Sequence, residues 1–81
     1  MTPELSKCRK VVGIKQTMRA LREDRVSQLW FACDADPAVL SEIETLGEEK
    51  HLPADRSATM AQLGRSAGIA VGAAVIAVLK E

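Results

Sequence analysis

Aromatic residues are nearly absent from this chain: one Trp, one Phe and no Tyr among 81 residues. Both stand in the apolar run SQLWFAC (27–33), as Trp30 and Phe31. That setting marks them as core, and it leaves no aromatic platform on which single-stranded bases could stack. Histidine occurs once, as His51 ahead of Leu52-Pro53. A single histidine builds no Ser-His-Asp set, and without ligand partners it builds no zinc site; it reads as a solvated loop residue. The two cysteines, Cys8 and Cys33, have neither the spacing of a metal knuckle nor that of a redox pair, and both are expected to be reduced. No metal and no cofactor is expected. The start of the chain lacks a basic segment followed by an apolar stretch, so no signal peptide is read and a cytoplasmic location is expected.

A membrane-length hydrophobic run is also missing. The uncharged stretch Ser66–Leu79 is 14 residues long, whereas a spanning helix needs about 20. Gly64, Gly68 and Gly72 fall four residues apart. That spacing matches a transmembrane dimerisation stripe, but the stripe has meaning only within a long enough span. The tail therefore reads as a helix ending near Gly64, a loop through Gly68 and Gly72, and a buried strand from about Ala73 to Leu79. A membrane partner is not expected.

Net charge is the last absence, and it conceals an asymmetry. The total is zero, yet residues 1–25 hold seven Lys and Arg against three acids, while residues 26–81 hold four against eight. A basic N-terminal third directs attention to a polyanion.

What is present has an ordinary globular balance, 47% hydrophobic and 27% charged, in a length suited to one domain over residues 1–81. Thr2 and Pro3 open a short helix to about Arg9. VVGI reads as a brief strand left through Gly13. IKQTMRALRE has a helical period, with Ile14, Thr17, Met18 and Leu21 on one face and Lys15, Arg19 and Arg22 on another. SQLWFAC reads as a covered strand. Asp36 is placed to cap, and Pro37 to begin, a helix through AVLSEIETLGEEK with Val39, Leu40, Ile43 and Leu46 inward. LPADRS gives a loop and a short extended piece, and Ser57 is placed to cap a helix over ATMAQLGRS. Helices alternate with strands, which predicts an α/β class.

Catalysis finds no support. Asp34 and Asp36 after an apolar strand are similar to the phosphoryl-transfer aspartates of haloacid dehalogenases, but Ala38 stands where those enzymes need Thr or Val, and capping explains Asp36. GIKQT lacks the spacing of a phosphate loop. What remains is GIKQTMRALR. Gly13 permits a tight turn, and the helix that follows presents unpaired N–H groups at its positive end. Lys15 and Gln16 lie in that first turn, and Arg19 and Arg22 continue the stripe. Cations for a phosphate backbone beside an amide that both donates and accepts suit a nucleic acid.

Taken together, VVGIKQTMRAL, ACDADP and MAQLGRSAGIAVGAAVIAVL resemble the L-seven-Ae family of ribosomal and kink-turn RNA-binding proteins, most closely its small bacterial YbxF-type members. The resemblance covers nearly the whole chain in order. It implies a three-layer α/β/α sandwich around a central mixed four-stranded sheet, and a monomer that is no enzyme. It also implies a structured RNA partner containing a kink-turn, from ribosomal RNA or a riboswitch, and no DNA. In that family the helix opening reads sheared G·A pairs, which carries over to Gly13, Lys15, Gln16 and Arg19, with Arg22 extending the stripe. The late loop covers extruded bases, which carries over to Gly68, Ile69, Ala70 and Val71. Archaeal members have Asn and Glu where this chain has Lys15 and Gln16; here Lys adds phosphate attraction and Gln keeps an acceptor. A protein-interaction adaptor on the same fold is the alternative.

Overall fold

The computed structural model describes residues 9–69 and 71–80. The helix expected to open at Thr2 and Pro3 lies outside them. Strand β1 is Lys10–Val12, helix α1 Ile14–Arg22, β2 Val26–Phe31, α2 Pro37–Glu49, β3 Ala54–Asp55, α3 Met60–Ser66 and β4 Val75–Leu79. The four strands form one mixed sheet in the order β1-β4-β2-β3. β4 runs antiparallel to both neighbours, with Val12 opposite Ile76 and Phe31 opposite Val75, while β2 and β3 are parallel.

Side-chain alternation along the strands divides the core into two layers. On one face, Leu29, Phe31, Val75 and Ala77 pack with Met18 and Leu21 of α1 and with Leu40 and Ile43 of α2. On the other, Trp30 and Ile76 pack with Leu63 and Ala67 at α3. This is the α/β/α sandwich that the sequence led us to expect. The run VIAVL is apolar because the central strand is covered on both faces: Val75, Ile76 and Ala77 are all fully buried.

The helix starts follow local chemistry. Asp36 Oδ1 accepts a hydrogen bond from the Ala38 N–H at 3.0 Å, with Pro37 in the first turn. Val39, read as inward, is instead 45% exposed. It lies in the first turn of α2, and the buried stripe begins at Leu40. The cap of α3 also differs from expectation. Thr59, not Ser57, holds it, through a reciprocal box in which Gln62 N–H donates to Thr59 Oγ1 and Thr59 N–H donates to Gln62 Oε1. The Ser57 hydroxyl donates to Asp55 instead. α3 ends at Ser66, the last residue of ATMAQLGRS and two beyond Gly64, and Gly68 takes the left-handed conformation, φ +79°, just past it.

Two buried polar groups lack a hydrogen-bond partner among the described residues, the Trp30 indole N–H and the Thr17 hydroxyl. Thr17 is completely buried. An unpaired buried hydroxyl costs about 1–3 kcal/mol. Thr17→Val keeps the shape and removes the hydroxyl. The variant is expected to gain about 1 kcal/mol, a rise of roughly 4–8 °C in thermal midpoint for a protein of this size. A midpoint at or below that of the parent would show that the hydroxyl is satisfied.

Candidate nucleic-acid interface

α1 begins without a cap. Its N-cap residue is Gly13, at φ +100°, with no side-chain hydrogen bond to the first turn and no acidic residue in it. An L side chain rarely adopts that backbone angle, so glycine is the residue that allows the strand to turn directly into the helix. The space around Gly13 is open: a Cβ built there would meet nothing within 4 Å. α2 and α3 both have side-chain caps. The first N–H groups of α1, at the positive end of its dipole, are therefore left to an external acceptor.

Lys15 and Gln16 are exposed in this uncapped turn. Lys15 makes no ion pair among the described residues. Arg19 lies one turn on and is 78% exposed, at 3.4 Å from Glu23. The Glu23 carboxyl is held below its ordinary pKa, first by the hydrogen bond from Arg25 and then by that from Arg19. A lowered pKa keeps Glu23 charged at neutral pH, and the pairing is lost only on acidification. The contact is solvent-exposed and screened by salt, so a stronger anion can take Arg19 from it. Arg22 is placed differently. It ends α1 and lines a 440 Å³ groove against α2 with Met18, Glu42, Leu46 and Glu49.

The late loop stands at the same end of the sheet as the start of α1. Gly13 N–H donates to Val75 O at 3.0 Å, at the first residue of β4, into which the loop leads. Gly68 and Ile69 open the loop, Ala70 lies outside the described residues, and Val71 comes next. Ile69 is 36% and Val71 71% exposed, so neither belongs to the core. With Val39 they are the exposed large hydrophobics among the described residues. All three sit at this end, because α2 also starts from the C-terminal end of β2. The structure thus gathers Gly13, Lys15, Gln16, Gly68, Ile69 and Val71 at one end of the sheet, with Arg19 leading away and Arg22 at the far end of α1.

The loop is strapped down. Ala73 N–H donates to Met60 O, Ile69 N–H donates to Gly64 O, and Met60 N–H donates to Asp34 Oδ1 at 2.8 Å. Asp34 therefore fixes α3, and through it the loop. Sequence reasoning also missed Arg65. It lies in the last turn of α3 and lines a 220 Å³ depression with Ala61, Ile69, Val71 and Gly72. Its position just ahead of the glycine-flanked loop was the available signal. Among the described residues there is no group of His, Cys, Asp and Glu that could hold a metal ion, and no helix is long and apolar enough to cross a membrane. Cys33 is a free thiol.

Fold and geometry together define a small α/β/α sandwich that presents a basic and aliphatic ridge, not a deep pocket, at one end of its sheet. The chain belongs to the ribosomal protein L7Ae/L30e/S12e/Gadd45 family, whose model matches residues 3–81. Among curated proteins it is 42% identical over 69 residues to the RNA-binding protein TTE2299 of Caldanaerobacter subterraneus, covering 85% of this chain and 84% of that one. It is 36% identical over 70 residues to the RNA-binding protein YbxF of Geobacillus stearothermophilus, covering 86% and 85%. Among solved structures, the Giardia lamblia 15.5kD RNA binding protein superposes with a TM-score of 0.82 at 20% identity, over 90% of this chain and 62% of that one, a likeness of fold.

Proposed function

We propose that the protein binds structured RNA and recognises the kink-turn, with no catalytic step. The observation that carries this reading is the uncapped, open start of α1 at Gly13, with Lys15 and Gln16 exposed in its first turn and the aliphatic loop beside it. Free N–H groups and Lys15 suit phosphate oxygens. Gln16 suits base edges that sheared pairs turn outward, and Ile69 and Val71 suit the faces of unstacked bases. Regular A-form grooves hide their base edges, so a protein that specifies structured RNA does so at kinks and splayed nucleotides. The relatives named as RNA-binding proteins support the reading. Residues 1–81 act as one domain, a reduced cytoplasmic monomer needing no metal, on ribosomal or riboswitch RNA.

The test is a gel shift of a standard kink-turn beside the same RNA with its G·A pairs made Watson–Crick. Preference for the kinked form is expected; equal affinity would remove the kink-turn reading, and no binding to either would favour a protein-interaction adaptor. Lys15→Ala should weaken binding and lower the log–log salt slope by about 0.7–0.9, the value of one phosphate contact. Gln16→Ala should lose discrimination between the two RNAs with that slope unchanged. Unchanged slope and unchanged discrimination in these variants would place recognition away from α1.

A further inference from the structure

The surface formed by the start of α1 and the late loop ends at the loop, but the positive charge does not. Arg65 is exposed and makes no ion pair among the described residues. The other cations of the C-terminal half are engaged: Lys50 and Lys80 with Asp24, and Arg56 with Glu44. Residues 57–80 contain no acidic side chain at all. α3 and the loop thus carry no acid of their own and one guanidinium outside any ion pair among the described residues; the Asp34 carboxylate that reaches α3 is bonded to the Met60 N–H at the opposite end of the helix from Arg65.

The position of Arg65 is fixed by the backbone that fixes the loop. Arg65 O accepts the N–H of Gly68 at 3.1 Å, closing the end of α3, while the next carbonyl back, Gly64 O, accepts from Ile69. The side chain consequently borders the depression whose walls are Ile69, Val71 and Gly72. A cation beside exposed aliphatics, continuous with a surface already assigned to RNA, has the chemistry of a nucleotide's backbone: phosphate on the guanidinium, sugar against the hydrocarbon.

We propose that Arg65 is a further RNA-contacting residue, holding a backbone phosphate of the strand that passes over the 68–72 loop and extending the interface from α1 across the loop onto α3. This rests on the RNA-binding reading above. The occupant of the depression is a phosphodiester, not a second protein. The contact positions the strand and reads no base.

The experiment compares the parent with Arg65→Gln and Arg65→Lys on kink-turn RNA across a salt series, with Lys15→Ala alongside. Arg65→Gln should fold as the parent does, since the side chain is exposed, and should lower the salt slope by about 0.7–0.9. Arg65→Lys should recover the slope while binding less tightly, since it keeps the charge but loses the planar fork. Preference for the kinked over the Watson–Crick RNA should remain in both. A scan of single methylphosphonates should find a position at which the parent and Arg65→Gln bind equally, which places the contact on one phosphate. An unchanged slope for Arg65→Gln, with Lys15→Ala still lowering it, overturns the Arg65 contact and leaves the α1 reading standing. A lowered slope with no such phosphate would reduce Arg65 to a diffuse field and overturn the contact equally. If the parent itself binds no structured RNA, the α1 reading fails and Arg65 falls with it.

Discussion

Val75→Asp is expected to abolish folding, while Val71→Asp melts close to the parent and fails to bind RNA. The two valines are four residues apart in one apolar tail, and the sequence offers little to separate them. Val75 is fully buried in the α1/α2 layer, in the cluster that also holds Met18, Leu21 and Phe31, on the strand that pairs with both β1 and β2. A carboxylate there has no cation to meet. Breaking a buried pairing or leaving a charge uncompensated costs about 3–5 kcal/mol, against a total stability of about 5–15 kcal/mol, and a protein of 81 residues has little to spare. Val71 is 71% exposed, so the same carboxylate remains in water and the free protein hardly changes. In the proposed complex it would face phosphates and bases in a dehydrated contact, where an unpaired charge is expensive. Circular dichroism melts beside RNA affinities check both halves. A Val71→Asp protein that melts as badly as Val75→Asp would mean the loop is core. One that folds and binds as the parent does would mean the loop is idle.

Much of this architecture was legible because local chemistry and tertiary packing agree. The 3.6-residue period of IKQTMRALR, the Asp36-Pro37 start and the charge-free run VIAVL each point to one structure, and each forms as expected. The discrepancies fall where two neighbours offer the same chemistry or where a partner is distant in sequence. Ser57 and Thr59 can both cap a helix; Thr59 does, because Gln62 stands three residues after it and completes the box. Asp34 binds the N–H of Met60, 26 residues away, and no local pattern reveals such a link. Val39 has the right helical phase for burial but sits in the first turn of α2, ahead of the buried stripe that begins at Leu40, and is 45% exposed. At the candidate site, α1 was readable from its own residues, whereas Arg65 offered only its position just ahead of the glycines. Its meaning depends on its share in a depression with Ile69 and Val71, which exists only once the loop has folded back over α3.

Gly64→Ala is expected to lower RNA affinity by more than tenfold while leaving the sheet intact, and this inverts the usual expectation for the substitution. In a helix interior Ala is preferred to Gly by about 1 kcal/mol, so on propensity alone the change should stabilise α3. The surroundings decide otherwise. A Cβ on Gly64 would lie 2.1 Å from Val71 O, 3.0 Å from Val71 C and 3.1 Å from Gly72 Cα. All three are backbone atoms, so no side-chain rotation relieves the clash, and the loop itself must lift from α3. The hydrogen bond from Ala73 N–H to Met60 O is then strained, and Ile69 and Val71 lose the placement that sets them beside the start of α1. Gly72→Ala is the graded control. Its Cβ would meet Met60 at 3.2–3.3 Å, a crowding that a shift of a few tenths of an ångström can relieve, and its loss of affinity should be smaller. Amide chemical shifts distinguish the mechanism: in Gly64→Ala those of residues 67–74 should move, while those of β2 and the C-terminal half of β4 stay in place. Wild-type affinity in Gly64→Ala with the loop amides shifted would mean that RNA recognition does not depend on where the loop lies. Unshifted loop amides would mean that α3 moves instead, and that the glycine serves the helix rather than the loop.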